Sequence, residues 1–303
     1  MTKLVSRRQT RKTDEENGHS ARNAAIGPGL DTWAGHTKAG VRWEVRRGDA
    51  KAVLTTMPAD RFSCVVTSPP YYSQRDYEVA EQIGLEKTIA EYVNRIVTTF
   101  DEVKRVLAPD GTLFLNLGDT YYSGKGQPVG RDRKNGARRF GLRPVDASGL
   151  GVPRKSAIGI PWRVAVAMID RGWTLRCPII WVRNGTIPEP TAHDRPWRTY
   201  EMVFLFTKGP RYEFYRGELD GEEDVWRISK RPKHSKGVHS AAFPDELVQK
   251  CLDVGCPPGG EVLDPFAGSG TVLRVALDNA CPTVGIDLHE AYCSHIVNGM
   301  KTL

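Results

Sequence analysis

Ser68-Pro69-Pro70-Tyr71 gathers a hydroxyl, two proline carbonyls and an aromatic ring within four residues, directly after the apolar run Cys64-Val65-Val66-Thr67. The run reads as a buried strand. Proline carries no N–H, so the chain turns here while its carbonyls keep their capacity to accept hydrogen bonds. A set of acceptors beside a flat apolar surface suits a planar ring bearing an exocyclic amine, which is a nucleobase feature. The same tetrapeptide also occurs in ordinary loops, so its weight comes from a second segment near the other end of the chain, Asp264-Pro265-Phe266-Ala267-Gly268-Ser269-Gly270-Thr271.

Gly268 and Gly270 let the backbone bend and approach a ligand closely. About twenty residues further on, Asp287 ends the next apolar run, where an acid can accept hydrogen bonds from ribose hydroxyls. A dinucleotide site wants a third glycine, and the sequence has Val272-Leu273-Arg274 there instead. A pyrophosphate cradle is disfavoured, and a nucleoside without phosphates fits better. A glycine turn used only for packing is the competing account, weakened by Asp264 and Asp287 occurring together.

These residues need a scaffold, and 303 residues with 40% hydrophobic content can bury a core. No apolar run reaches membrane-spanning length, and the first twenty residues lack a secretory core, so the expectation is the cytoplasm, or the nucleoid of a bacterial cell. The six cysteines show no C-x-x-C pair and no ligand spacing, which predicts buried free thiols and no metal. The formal charge is +7. Between Tyr122 and Ala157 nine basic residues face two acidic ones, an excess of seven that matches the whole chain. A polyanion is the expected partner, with a merely solvated charge run as the alternative.

Residues 1–38 read as a polar, mobile tail. From 39 to 303 strand and helix signals alternate. Strands are expected at 41–45, 63–67, 112–117, 175–182, 202–207, 261–266 and 283–288. Helices are expected at 82–107, 160–171, 243–254 and 268–279, with a short one closing the chain, and 109–111 reads as a turn. This alternation predicts an α/β fold, a doubly wound and mostly parallel seven-stranded sheet of the Rossmann-like kind. The strands near 175–182 and 202–207 have no helix between them, so one of them is expected to run antiparallel. The 122–157 stretch reads as a long basic loop inserted into the sheet fold.

In its ordered set of segments the chain resembles the amino-methyltransferases of DNA, and its order, SPPY first and FAGSGT later, resembles their permuted beta group. The shared segments run from RRGDAKAVLTTMP through VVTSPPYYSQRDY, LAPDGTLFLNLGD, GWTLRCPIIWVRNG and TYEMVFLFTKGPRY to PPGGEVLDPFAGSGT and VGIDL. The resemblance implies a methyltransferase domain divided into a catalytic half, 39–208, with the basic loop 122–157; a small target-recognition segment, 209–238; and a cofactor half, 239–303. It implies S-adenosylmethionine as cofactor and double-stranded DNA as partner. A homodimer and a cognate restriction nuclease are compatible with it.

It also carries roles to positions. Ser68, Pro69, Pro70 and Tyr71 become the catalytic motif. Asp264, Phe266, Gly268, Ser269 and Gly270 surround the methionine part of the cofactor, Thr271 opens the following helix, Asp287 holds the ribose, Asp49 accepts from the adenine amine, and Phe243 packs beside the methionine. Asp119 ends a strand near both ligands. The resemblance implies direct in-line transfer, with the amine hydrogens bound by Ser68 and the Pro69 carbonyl. The target base has to be flipped from the duplex, and Tyr71 is expected to stack on it, with Tyr72 as the second candidate. An opening serine favours cytosine N4, and adenine N6 stays open. An RNA methyltransferase and a non-catalytic DNA-binding relative are more distant alternatives. Phosphate contacts are expected from the basic loop, with Lys125, Arg131, Arg133, Lys134, Arg138, Arg139 and Arg143, and Arg227 and Arg231 are the DNA-binding residues expected in the target-recognition segment, where the loop and the 183–198 segment share the reading of base edges.

Overall fold

A computed structural model describes residues 31–74, 82–126, 143–184, 192–219, 223–229 and 244–303. Its described strands form one nine-stranded sheet. In chain order the elements are β1 (Thr32–His36), β2 (Arg42–Arg47), α1 (Ala50–Thr55), β3 (Phe62–Thr67), α2 (Ile89–Val106), β4 (Leu107–Leu117), α3 (Ile160–Asp170), β5 (Thr174–Asn184), β6 (Tyr200–Thr207), β7 (Val225–Ser229), α4 (Asp245–Gly255), β8 (Val262–Asp264), α5 (Thr271–Asp278), β9 (Thr283–Asp287) and α6 (Glu290–Met300). Across the sheet the strands run β1-β2-β9-β8-β3-β4-β6-β5-β7.

The five strands from β2 to β4 are mutually parallel. β6 runs antiparallel to both β4 and β5, the expected reversal, and β7 is parallel to β5. Side chains alternate between faces along each strand. Val65, Leu113, Leu115, Leu117, Phe204 and Phe206 join the core beneath α1, α2 and α3. Cys64, Val66, Phe114, Val203 and Leu205 join the other, beneath α4, α5 and α6. The sheet is therefore buried on both faces by helices drawn from opposite ends of the sequence.

Two strands exceed the expected seven, and both lie at the rims. β1 occupies 32–36, inside the stretch read as tail, and pairs antiparallel with β2. β7 lies within the 209–238 segment and is fastened to β5 by a bond from Trp181 Nε1 to the Ile228 carbonyl at 3.3 Å. Two boundaries also move. α2 starts at Ile89 rather than 82, because Thr88 and Glu91 form a capping box there. The turn expected at 109–111 is part of β4, where a register irregularity between Phe62 and Cys64 absorbs it. Pro178 lies within β5, and the pairing with β7 starts only at Ile180, beyond it. Cys64, Cys251, Cys256, Cys281 and Cys293 are buried free thiols, and Cys177 is half-buried. No described helix is long and apolar enough to cross a membrane.

Candidate active site

Parallel strands deliver their carboxyl ends to one edge of the sheet, where ligands of open α/β sheets bind. Here that edge carries Asp49 after β2, Asp287 at the end of β9, Asp264 at the end of β8, Ser68 after β3 and Asp119 after β4. Because β6 is reversed, the same edge receives the beginning of that strand, and with it Glu201.

Ser68 and the Asp264 turn are neighbours. β3 pairs directly with β8, and Thr67 Oγ1, the residue before Ser68, donates to Asp264 Oδ1 at 2.7 Å. Asp264 also accepts from the Phe266 N–H at 3.0 Å. Burial pushes its carboxyl up to about 7 despite these bonds. Asp287 accepts from the Gly268 and His289 N–H groups, both at 2.8 Å, and burial raises it to about 6. Asp287 thereby ties the end of β9 to the glycine turn.

The turn is built for close approach. Gly268 and Gly270 have φ of +53° and +78°, in the left-handed region. A Cβ at Gly270 would come within 2.9 Å of Ile296. Ser269 Oγ and Thr271 Oγ1 lie 3.3 Å apart at the start of α5, and Phe266 packs against the α2 side near Phe100. Asp49 caps α1 by accepting from the Ala52 N–H at 2.9 Å.

Around Ser68 the hydrogen bonds form a small network. Ser68 Oγ lies 3.3 Å from both Tyr71 Oη and Asn116 Oδ1. Tyr71 Oη lies 2.8 Å from Asn116 Oδ1 and 2.7 Å from Glu201 Oε2. Asn116 Nδ2 donates to the Met202 carbonyl, which turns its oxygen toward the two hydroxyls. Arg183 Nη1 pairs with Glu201 Oε1 at 2.9 Å. Burial, followed by the Glu201 charge, raises the Tyr71 phenol far above its ordinary range, so it stays protonated. Pro70's carbonyl accepts from Tyr92 Oη at 2.9 Å.

Asn116, Glu201 and this use of Arg183 escape the sequence reading. The one hint was polarity inside the apolar strands TLFLNL and YEMVFLFT. Two expectations are corrected. Tyr72, considered for stacking, is 1% exposed and packs on Tyr92, with ring centres 5.1 Å apart. Arg183, grouped with the DNA-contacting segment, is committed to Glu201 and to the Arg198 carbonyl. Asp119, on the strand-end edge, also caps α3 by accepting from the Gly159 and Ile160 N–H groups.

Among the expected DNA-binding residues, Lys125 and Arg227 are exposed. Arg143 is held inward by the buried Asp146 at 2.6 Å and by the Ser73 carbonyl. Arg131, Arg133, Lys134, Arg138, Arg139 and Arg231, together with Phe243, lie outside the described residues.

A family model described as DNA methylase (N6_N4_Mtase) matches residues 62–298. The chain belongs to that family. This methylase is 44% identical over 255 residues to the type II methyltransferase M.XycI of Xanthomonas campestris pv. cyanopsidis, covering 81% of this chain and 83% of the relative. It is 43% identical over 263 residues to M.Cfr9I of Citrobacter freundii, covering 84% and 86%. Among solved structures its fold is similar to PvuII DNA methyltransferase (cytosine-N4-specific), with a TM-score of 0.66 at 21% identity over 86% of each chain. It is also similar to a DNA modification methylase from Thermus thermophilus, solved in complex with S-adenosyl-L-methionine, with a TM-score of 0.57 at 22% identity over 84% of this chain and 91% of the other.

Proposed function

We propose that this DNA methylase moves a methyl group from S-adenosylmethionine to the exocyclic N4 of a cytosine flipped from duplex DNA. The observation that carries the reading is the adjacency of its two halves: Thr67, which leads into Ser68, is bonded to Asp264, which opens the glycine turn. A methyl donor held at one and an amine held at the other meet without chain rearrangement.

The residues present fit the cofactor. The left-handed glycines keep the turn tight and free of side chains, Asp287 is an acid suited to a ribose diol, and Asp264, Phe266, Ser269 and Thr271 belong to the same turn. Asp49 is the acid assigned to the adenine amine. When bound, S-adenosylmethionine supplies an electrophilic methyl group on a sulfonium.

The protein's task is to make a delocalised amine behave as a nucleophile. Ser68 Oγ has one proton, and its nearby acceptors are Tyr71 Oη and Asn116 Oδ1. With that proton committed inward, its lone pairs accept from an amine N–H. Pro70's carbonyl is engaged by Tyr92, so the second N–H is assigned to Pro69's carbonyl. Both bonds strengthen as the nitrogen becomes tetrahedral and gains positive charge, which is where catalysis requires them.

The serine at position 68 and the fold shared with a cytosine-N4-specific enzyme support N4 over adenine N6. The segment order supports the permuted beta arrangement. Residues 39–208 then serve as the catalytic half, 209–238 as target recognition and 239–303 as the cofactor half, with the basic stretch on phosphate. A cognate restriction nuclease, a homodimer and a cytoplasmic location belong to the same reading.

The test is a methylation assay with isotopically labelled cofactor and duplex DNA, followed by digestion to nucleosides. Label is expected in N4-methylcytosine, and Ser68→Ala is expected to lower the rate about 100- to 1,000-fold, the scale of losing one donor or acceptor aimed at developing charge. Label confined to N6-methyladenine would overturn the base assignment.

A further inference from the structure

We infer that Glu201 is the terminal acceptor of a proton relay, Ser68–Tyr71–Glu201, that removes the proton displaced from the methylated amine. The inference rests on the N4-cytosine reading and extends it to three residues contributed by two strand ends, Ser68 and Tyr71 after β3 and Glu201 at the start of β6.

A cytosine amine has two hydrogens. Once methylated, the nitrogen carries both of them, the methyl group and a positive charge, and it must lose one proton to become product. The hydroxyl of Ser68 is not itself a base of sufficient strength to keep that proton. It is, however, joined to one. Ser68 Oγ lies 3.3 Å from Tyr71 Oη, and Tyr71 Oη lies 2.7 Å from Glu201 Oε2. Each hydroxyl accepts one proton as it passes on its own. The N4–H bond breaks as a Ser68 O–H bond forms, the original Ser68 proton moves to Tyr71 Oη, and the original Tyr71 proton moves to Glu201 Oε2. Both hydroxyls end as they began, the amine is neutral, and the carboxylate has become a carboxylic acid.

Three features give this chain a direction. Asn116 Oδ1 lies within reach of both hydroxyls and, with its Nδ2 bound to the Met202 carbonyl, presents only an acceptor, so it supplies no proton that would compete with transfer toward Glu201. Arg183 lies on the far side of Glu201, 2.9 Å from Oε1, and holds the carboxylate with Oε2 toward Tyr71. The Tyr71 ring packs over Gly118, where a Cβ would collide with it. The Glu201 side chain is 15% exposed, so the proton has a path to water between turnovers.

The test compares wild type with Glu201→Gln and Tyr71→Phe. The second variant leaves the Arg183–Glu201 pair intact and covers the case in which the Glu201→Gln change disturbs folding. In single-turnover methylation both variants are expected to slow about 100-fold, with KM for DNA and the cofactor Kd unchanged. The double variant is expected to be no slower than either single one, because the three groups act as a unit.

A second readout needs neither cofactor nor DNA. In protein labelled with ¹³Cζ-tyrosine, the resonance absent from Tyr71→Phe is expected to shift in Glu201→Gln and in Ser68→Ala. If wild type methylates cytosine, both variants match its rate and the resonance does not move, the relay is wrong and the parent reading stands. If wild type labels only adenine, the parent reading is what fails.

Discussion

Asp287 accepts two backbone N–H groups, and its burial still lifts the carboxyl to about 6. A ribose diol donates to the ionised form, so cofactor affinity is expected to fall as pH drops through about 6, by up to tenfold per pH unit below it. Titration calorimetry across pH 5–8 checks this, and Asp287→Asn should bind weakly with a flat profile. Stability should move the other way. Asp264 and Asp287 have folded values above their unfolded ones, so folding takes up protons between the two, and the ligand-free protein gains stability from these groups as pH falls from 8 to 5. Urea midpoints at the two pH values report the sign. Ser68, Asp264 and Asp287 were legible in the sequence because each sits in a short segment whose neighbours restrict its use. Asn116 and Glu201 were not, since each stands alone in an apolar strand and gains meaning only when β4 and β6 lie side by side in a fixed register.

Helix α3 is preceded by Gly159 at its N-cap, in the left-handed region, which has no side chain to cap the helix. Asp119 supplies the cap from the end of β4, forty residues upstream. Asp119→Ala is expected to cost about 1 kcal/mol, read as a lowered melting temperature, while Asp119→Asn should retain most of the stability. A second prediction concerns the Gly118 contact. Gly118→Ala should displace the Tyr71 ring and lower the methylation rate at least tenfold, with cofactor affinity unchanged in calorimetry. The inner strands and most helices could be read from periodicity, because burial on two faces imposes it. β1 and β7 could not. β1 alternates only between half-buried and exposed positions, and β7 is five residues set among basic ones, so neither carries a strong apolar signal.

At the scale of the molecule, the excess positive charge belongs largely to one stretch, 122–157, with Lys125, Arg154 and Lys155 exposed among its described residues. If that stretch tracks phosphate, replacing Arg138 and Arg139 with Gln should weaken binding similarly for all duplex sequences and reduce the salt dependence of the association constant by about two counterions. Fluorescence anisotropy over a salt series measures both.

The central strand β3 has a further consequence. One of its partners, β4, follows soon after it, but the other, β8, pairs Cys64 with Val262, about two hundred positions later in the chain. Contacts so remote in sequence form slowly, because a long loop has to close before they are rewarded. During synthesis the segment bearing Ser68 therefore leaves the ribosome well before the strand that completes its surroundings. A nascent chain halted before residue 262 would carry the amine-binding residues with no sheet to seat a methyl donor beside them, so activity should arise abruptly, at a late point in translation.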